Sequence, residues 1–268
     1  MLKEAIAFFK KDFLSETSYG LSFASNIFLV FFSVASYFFI DKLFGQKMVP
    51  HLEEFGVSYF SYILLSLAFF SYIGIGVGSL SGQIHSEQMQ GTLEALLLTP
   101  ARISTILFSM TLWNLFNAAI EMSIYIGLGL FLFKISFSNV NIVSAMVISF
   151  LTIFCFNSLG IISASFTLVF KRGNPFNWIV SNIEGLVSGV YFPVTILPHW
   201  MQFLAKFFPI TYAIRAIELA VYRNYTIIQL RKEILFLTFF SLLLAPLSLL
   251  IFKFSLKKAR QYASLGQY

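Results

Sequence analysis

Gln83-Ile84-His85-Ser86-Glu87-Gln88-Met89-Gln90-Gly91-Thr92-Leu93-Glu94-Ala95-Leu96-Leu97-Leu98-Thr99-Pro100 is a polar island between two long apolar runs, and its reading decides the fold. The pattern predicts two short helices in water. Gly91 interrupts the first, and Thr92 can cap the second by accepting a hydrogen bond from a backbone N–H of its first turn. Glu94 sits in that turn, where the helix dipole favours an anion. Pro100 stops the helix, because its ring removes a backbone donor and clashes with the preceding turn. Leu93, Leu96 and Leu97 share one side at i, i+3, i+4 spacing, an apolar stripe on a loop with no core of its own. Either another protein covers that stripe or the segment lies on a bilayer surface.

The flanking runs settle the class. With 58% hydrophobic residues, 34 Phe, 11% charged residues and a mean hydropathy of +0.81, the chain carries more apolar surface than a soluble core can use. It reads as an all-α polytopic membrane protein. Apolar runs recur throughout with no polar block long enough to fold separately, so residues 1–268 are expected to form a single transmembrane domain. A span needs roughly 20 apolar residues. Six transmembrane helices are predicted, at about 20–40, 59–80, 105–133, 140–170, 176–192 and 234–252. The start of the chain does not read as a cleavable signal, since Lys10, Lys11 and Asp12 break its apolar run. Leu2, Ile6, Phe9 and Phe13, with Lys3, Lys10 and Lys11 around them, predict an amphipathic elbow helix in the headgroup region over residues 1–16. The single cysteine, Cys155, excludes an intrachain disulfide.

Lys and Arg set the orientation. With the N-terminus cytoplasmic, the inside carries Lys3, Lys10, Lys11, Arg102, Lys171, Arg172, Lys253, Lys257, Lys258 and Arg260, against Lys42, Lys47 and Lys134 in the short outside loops. The segment 193–233 holds five more basic residues outside and weakens the asymmetry. Both termini are expected to be cytoplasmic, and the polar island with them. In the outer segment, Trp200, Phe203, Leu204, Phe207 and Phe208 form a stripe ended by Pro209, and a second helix starts at Thr211 with Ile214, Ile217 and Val221 on one side. Neither helix is long enough to span, so they are expected to enter the outer leaflet and return as a re-entrant pair.

Two stretches resemble the ABC-2-type transporter permeases. Glu87, Gly91-Thr92-Leu93-Glu94, Leu97 and Thr99-Pro100 are similar to that family's first cytosolic coupling loop, which docks into a groove on a separate ATP-hydrolysing subunit. Pro198, Trp200, Pro209 and Tyr212 follow the order of its re-entrant pair before the last helix. The resemblance implies the permease subunit of an ATP-driven exporter in the inner (plasma) membrane. It also implies a homodimer, or a heterodimer with a similar chain, joined to two copies of a cytosolic ATPase. ATP and Mg would lie on that ATPase, with no cofactor on this chain, and the Lys171-Arg172-Gly173-Asn174 turn would be a second contact. The family moves lipids, drug-like amphiphiles and lipid-linked glycans.

Inside the spans, Gly74, Gly78 and Gly82 repeat at four-residue spacing and predict close approach of another helix. Asn114, Asn117, Glu121 and Tyr125 share one face of the third span, and the fifth carries Glu184 and Ser188. An ionisable group at mid-membrane costs ~3 kcal/mol or more and must face protein or a wet cavity. Glu121, Asn117, Glu184 and Ser188 are therefore candidates for the transport path or for a lock between helices. A second reading is an ion-coupled secondary transporter in which Glu121 or Glu184 carries a proton, although the inverted repeats typical of that class are not evident. The chain has no G-x-x-x-x-G-K-[ST] phosphate loop, no G-x-S-x-G elbow and no H-E-x-x-H motif, so it is not expected to be an enzyme. His51, His85 and His199 are scattered and form no metal set. The basic tail Lys257-Lys258-Ala259-Arg260 fits membrane lipid and topology rather than nucleic acid.

Overall fold

The computed structural model of the chain describes residues 10, 11, 13, 14, 20–98, 103–135, 137, 140–170, 182 and 185–261. Apolar segments without water must satisfy their backbone internally, and the long apolar runs within the described residues form helices. The elements are α1 (Gly20–Met48), α2 (Tyr59–Met89), α3 (Leu93–Leu98), α4 (Ile103–Phe131), α5 (Ile142–Val169), α6 (His199–Ala205), α7 (Pro209–Tyr222) and α8 (Arg231–Gln261). Among the described residues there is no strand. Five helices, α1, α2, α4, α5 and α8, are long and apolar enough to cross a membrane. The expected span 176–192 lies largely outside the described residues. Its final part departs from the expectation: helix ends at 187, and Gly189 takes φ +88°, a left-handed conformation that breaks the run.

α2 is the central helix. Two thirds of its apolar window (67%) is buried, against 11% for α1. It packs on α4 and α5, α8 lies along α5, and α7 is wedged against α5 and α8. The glycine repeat was expected to let another helix approach closely, but the close approach falls elsewhere on α2. Gly74 and Gly82 have open space where a Cβ would stand, whereas a Cβ on Gly160 of α5 would strike the carbonyl of Gly76. Gly76 lies on the face that α5 covers; the repeat lies beside it.

The two ends of the bundle differ. At one end, three segments far apart in sequence are joined. Arg223 donates through Nη2 to the Glu53 carbonyl (2.6 Å) and through Nε to that of Glu54 (3.0 Å). Arg215 pairs with the carboxylates of Glu54 (2.6 Å) and Glu233 (2.8 Å). The Asn141 amide donates to the Ala220 carbonyl at 2.9 Å, and Phe137 stacks on Tyr222 with ring centres 5.8 Å apart. At the other end lie Lys11, the last turns of α2, α3 and a small buried cluster that includes Leu80, Leu107, Leu168 and Leu256. The loops after the first and third spans thus share one end and the polar island occupies the opposite one, as alternation of spans requires.

α6 and α7 form the short pair between 193 and 230. Pro198 precedes α6, and Pro209 is the first residue of α7, two residues before the expected start, because proline at that position gives up an N–H that has no helical partner anyway. Ile210, Ile214 and Ile217 are at most 2% exposed, so α7 has its apolar face buried against protein. Trp200 and Phe203 of α6, and Phe207 just after it, point away from the core, each at least 60% exposed. α8 runs through Pro246 and includes Lys257 and Lys258, longer at both ends than expected.

Candidate functional site

The polar island is built around one turn. Instead of the first of two short helices, residues 83–89 are the last turns of α2, which ends in a Schellman motif: the Gly91 amide donates to the Gln88 carbonyl (3.1 Å) and the Thr92 amide to that of Glu87 (3.0 Å). Gly91 takes φ +69°, the left-handed conformation such a turn demands. Thr92 immediately precedes α3, but its hydroxyl points back and donates to both the Glu87 carboxylate and the Glu87 carbonyl. The same carboxylate accepts from Lys11 at 2.5 Å. Glu87 therefore holds the elbow segment, the end of α2 and the start of α3 together. Its side chain is only 13% exposed, so it is committed within the chain.

Leu93 departs from the expectation of an uncovered stripe. It is 2% exposed, in the small cluster with Leu80, Ile84, Leu107 and Leu256. Of the two α3 leucines whose side chains are described, the bare one is Leu98, 85% exposed at the end of the helix. Glu94, Leu96 and Leu97 have their backbones in α3, and their side chains lie outside the described residues, as do Thr99, Pro100 and the Lys171–Asn174 turn. The turn thus seats the first leucine of α3 inside the bundle and presents the last one to the exterior.

Glu121 lies on α4 and accepts a hydrogen bond from the Ser71 hydroxyl of α2. Both line a lateral groove of about 580 Å3 that also includes Ser33, Gly74, Gly78 and Tyr125. This explains the open space at Gly74: the glycine stripe floors a groove. Asn117 is half-buried one turn earlier on α4, and Asn114 is buried, its carbonyl oxygen accepting from Gln83 at 3.1 Å. Glu184 lies outside the described residues. Ser188 does not join Glu121; it is buried at the joined end in a separate cavity with Thr211 and Arg215. Tyr212 lies beside it, stacked on Phe236 with ring centres 3.8 Å apart. Among the described residues no group of three or more His, Cys, Asp or Glu could hold a metal ion.

Sequence reasoning passed over Glu218. This carboxyl on α7 is 0% exposed, accepts the Ser66 hydroxyl of α2 at 2.8 Å, and leaves its second oxygen without a partner. Burial pushes it well above the usual carboxylate range, against the lowering effect of the Ser66 bond. The signal was present: Glu218 falls inside the apolar stripe of Ile214, Ile217 and Val221, where a solvated residue has no place. On the same helix, burial opposes the charge of Arg215, but Glu54 and Glu233 outweigh it and hold its proton more tightly than usual.

A family model described as ABC-2 type transporter matches residues 6–222, which include α1 to α7. Among curated proteins none matches the chain.

Proposed function

Because the chain belongs to the ABC-2 type transporter family, and is therefore a membrane transport subunit of a kind that pairs with an ATPase, we propose that it is the permease of an ATP-driven exporter. α3 is its docking element. Two copies of a cytosolic ATPase carrying ATP and Mg would engage two permease chains, as a homodimer or with a similar partner, in the inner (plasma) membrane with both termini cytoplasmic. The observation that carries this reading is the exposed Leu98, at the tip of a short helix whose other end is fastened inside the bundle by Leu93 and Glu87. A load applied to α3 is delivered to α2 through the Glu87 turn, and α2 is the helix on which α4 and α5 pack.

The lever acts on the path. The groove along Ser33, Ser71, Gly74 and Glu121 sets a carboxyl and hydroxyls among apolar side chains such as Leu67, Phe70 and Ile75, suited to an amphiphile such as a lipid, a drug-like molecule or a lipid-linked glycan. ATP drives such a change only as far as it binds one state of the ATPase pair more tightly than the other. Co-purification tests the docking claim. Replacing Leu97 or Leu98 with Glu is expected to release the ATPase while the permease still extracts as a folded protein; at the exposed Leu98 a stability change of about 0.5 kcal/mol or less is expected. Undiminished co-purification of both variants contradicts it.

A further inference from the structure

We propose that the cavity beneath α6 and the start of α7 binds a phosphate-type anion, either the headgroup of an amphiphile or free inorganic phosphate. It lies at the opposite end from α3 and measures about 470 Å3, within the usual range for small-molecule sites. Three independent features converge on it. Ser188, on the wall, is 1% exposed and its hydroxyl has no hydrogen-bond partner; the Thr211 hydroxyl on the same wall also lacks one. Buried hydroxyls are almost always paired, so both await an acceptor.

The second feature is the N-terminus of α7, a 14-residue helix whose preceding residue, Phe208, provides no side-chain cap. Thr211 and Tyr212 of its first turn line the cavity, so the positive end of the helix dipole borders it. The third is charge. Arg215 is matched by Glu54 and Glu233, but Lys206 and Lys232 also line the wall, and neither is in an ion pair. Glu54 would repel an anion, and Arg215 already engages it at 2.6 Å. Two ammonium groups, two unpaired hydroxyls and a helix N-terminus suit a tetrahedral oxyanion. The exposed rings of Trp200 and Phe203 on α6 and of Phe207 just after it are placed to accompany an acyl chain. The site is independent of what the transporter exports.

The test uses full-length protein in two arms. In nanodiscs of phosphatidylcholine with added phosphatidylglycerol, lipid retained after extraction is measured by mass spectrometry; in detergent, thermal unfolding is followed with inorganic phosphate. Preferential retention of phosphatidylglycerol assigns the site to a headgroup, and a phosphate-dependent rise in melting temperature assigns it to a free anion. In either case Lys206→Gln/Lys232→Gln is expected to weaken the effect by about tenfold or more through loss of two charge-assisted contacts. Ser188→Ala, which removes only the hydroxyl, is expected to weaken it less. Lys253→Gln/Lys257→Gln, the same charge change at the far end of α8, is expected to leave it intact. No effect in either arm, or an equal response of the two lysine pairs, overturns the proposal.

Discussion

One end of this bundle is sewn together and the other is held at a few points. At the sewn end, Arg223 bonds two backbone carbonyls of the loop after α1, Arg215 bridges that loop to α8, and the α4–α5 connection is pinned to α7. At the α3 end, the described residues hold together through the Lys11–Glu87 ion pair, the Gly91 turn, two side-chain hydrogen bonds (Ser81 with Thr167, Gln83 with Asn114) and a small leucine cluster. Buried polar atoms there are left unpaired: both side-chain atoms of Gln88, the Thr105 hydroxyl, and one atom each of Gln83 and Asn114. The sewn end leaves Ser144, Ser188 and Thr211 unpaired as well, so the ion pairs and backbone bonds across it, not unpaired atoms, set the two ends apart and leave the α3 end the one suited to rearrange. The difference teaches that the bundle has an anchored end and a movable one, with the exposed leucine on the movable end.

The largest effect expected from breaking this contrast is at the anchor. Arg223→Ala removes two charged hydrogen bonds to carbonyls and should cost about 3 kcal/mol, seen as a lower thermal midpoint in detergent, with ATPase association retained. Next comes Leu93→Ala, which empties a buried site at the movable end. It should cost about 2 kcal/mol and, unlike Arg223→Ala, should also weaken ATPase co-purification, because α3 loses its seat. Equal effects of both on association would erase the distinction. The smallest is Glu218→Gln. Since the folded protein holds this acid above its unfolded value of 4.5, the folded state binds more protons, and wild-type stability should be fullest below about pH 4.5 and fall as pH rises toward the raised value. The glutamine variant should show a flatter stability profile above pH 5.

Much of this was legible from composition and spacing. Long apolar runs fix helices because a lipid environment leaves the backbone no alternative, and Gly91 marks the end of α2 because a left-handed residue was needed there. Other features depend on which faces meet. Gly76 and Gly160 lie far apart in sequence, and only the crossing of α2 and α5 makes their lack of a Cβ matter. Leu93, Leu96 and Leu97 read as one stripe, yet the turn at Gly91 swings Leu93 into the cluster under α8. Glu121 stood out as a lone acid in a span, whereas Glu218 lies on a helix too short to be read as one, so its place inside the apolar stripe went unnoticed. Ser188 and Thr211 have no local signal, since the cavity that joins them is made by two separated segments.

Sidedness is the most direct test of the central claim. The native Cys155 is fully buried, so cysteines introduced at Leu98 (85% exposed) and Ile228 (79% exposed) can be labelled in its presence. In sealed inside-out vesicles, a membrane-impermeant maleimide is expected to modify Leu98→Cys and spare Ile228→Cys, and bound ATPase should protect the former. Labelling of Ile228→Cys in place of Leu98→Cys, or labelling of Leu98→Cys that the ATPase leaves unchanged, would contradict the assignment of α3 as the docking element.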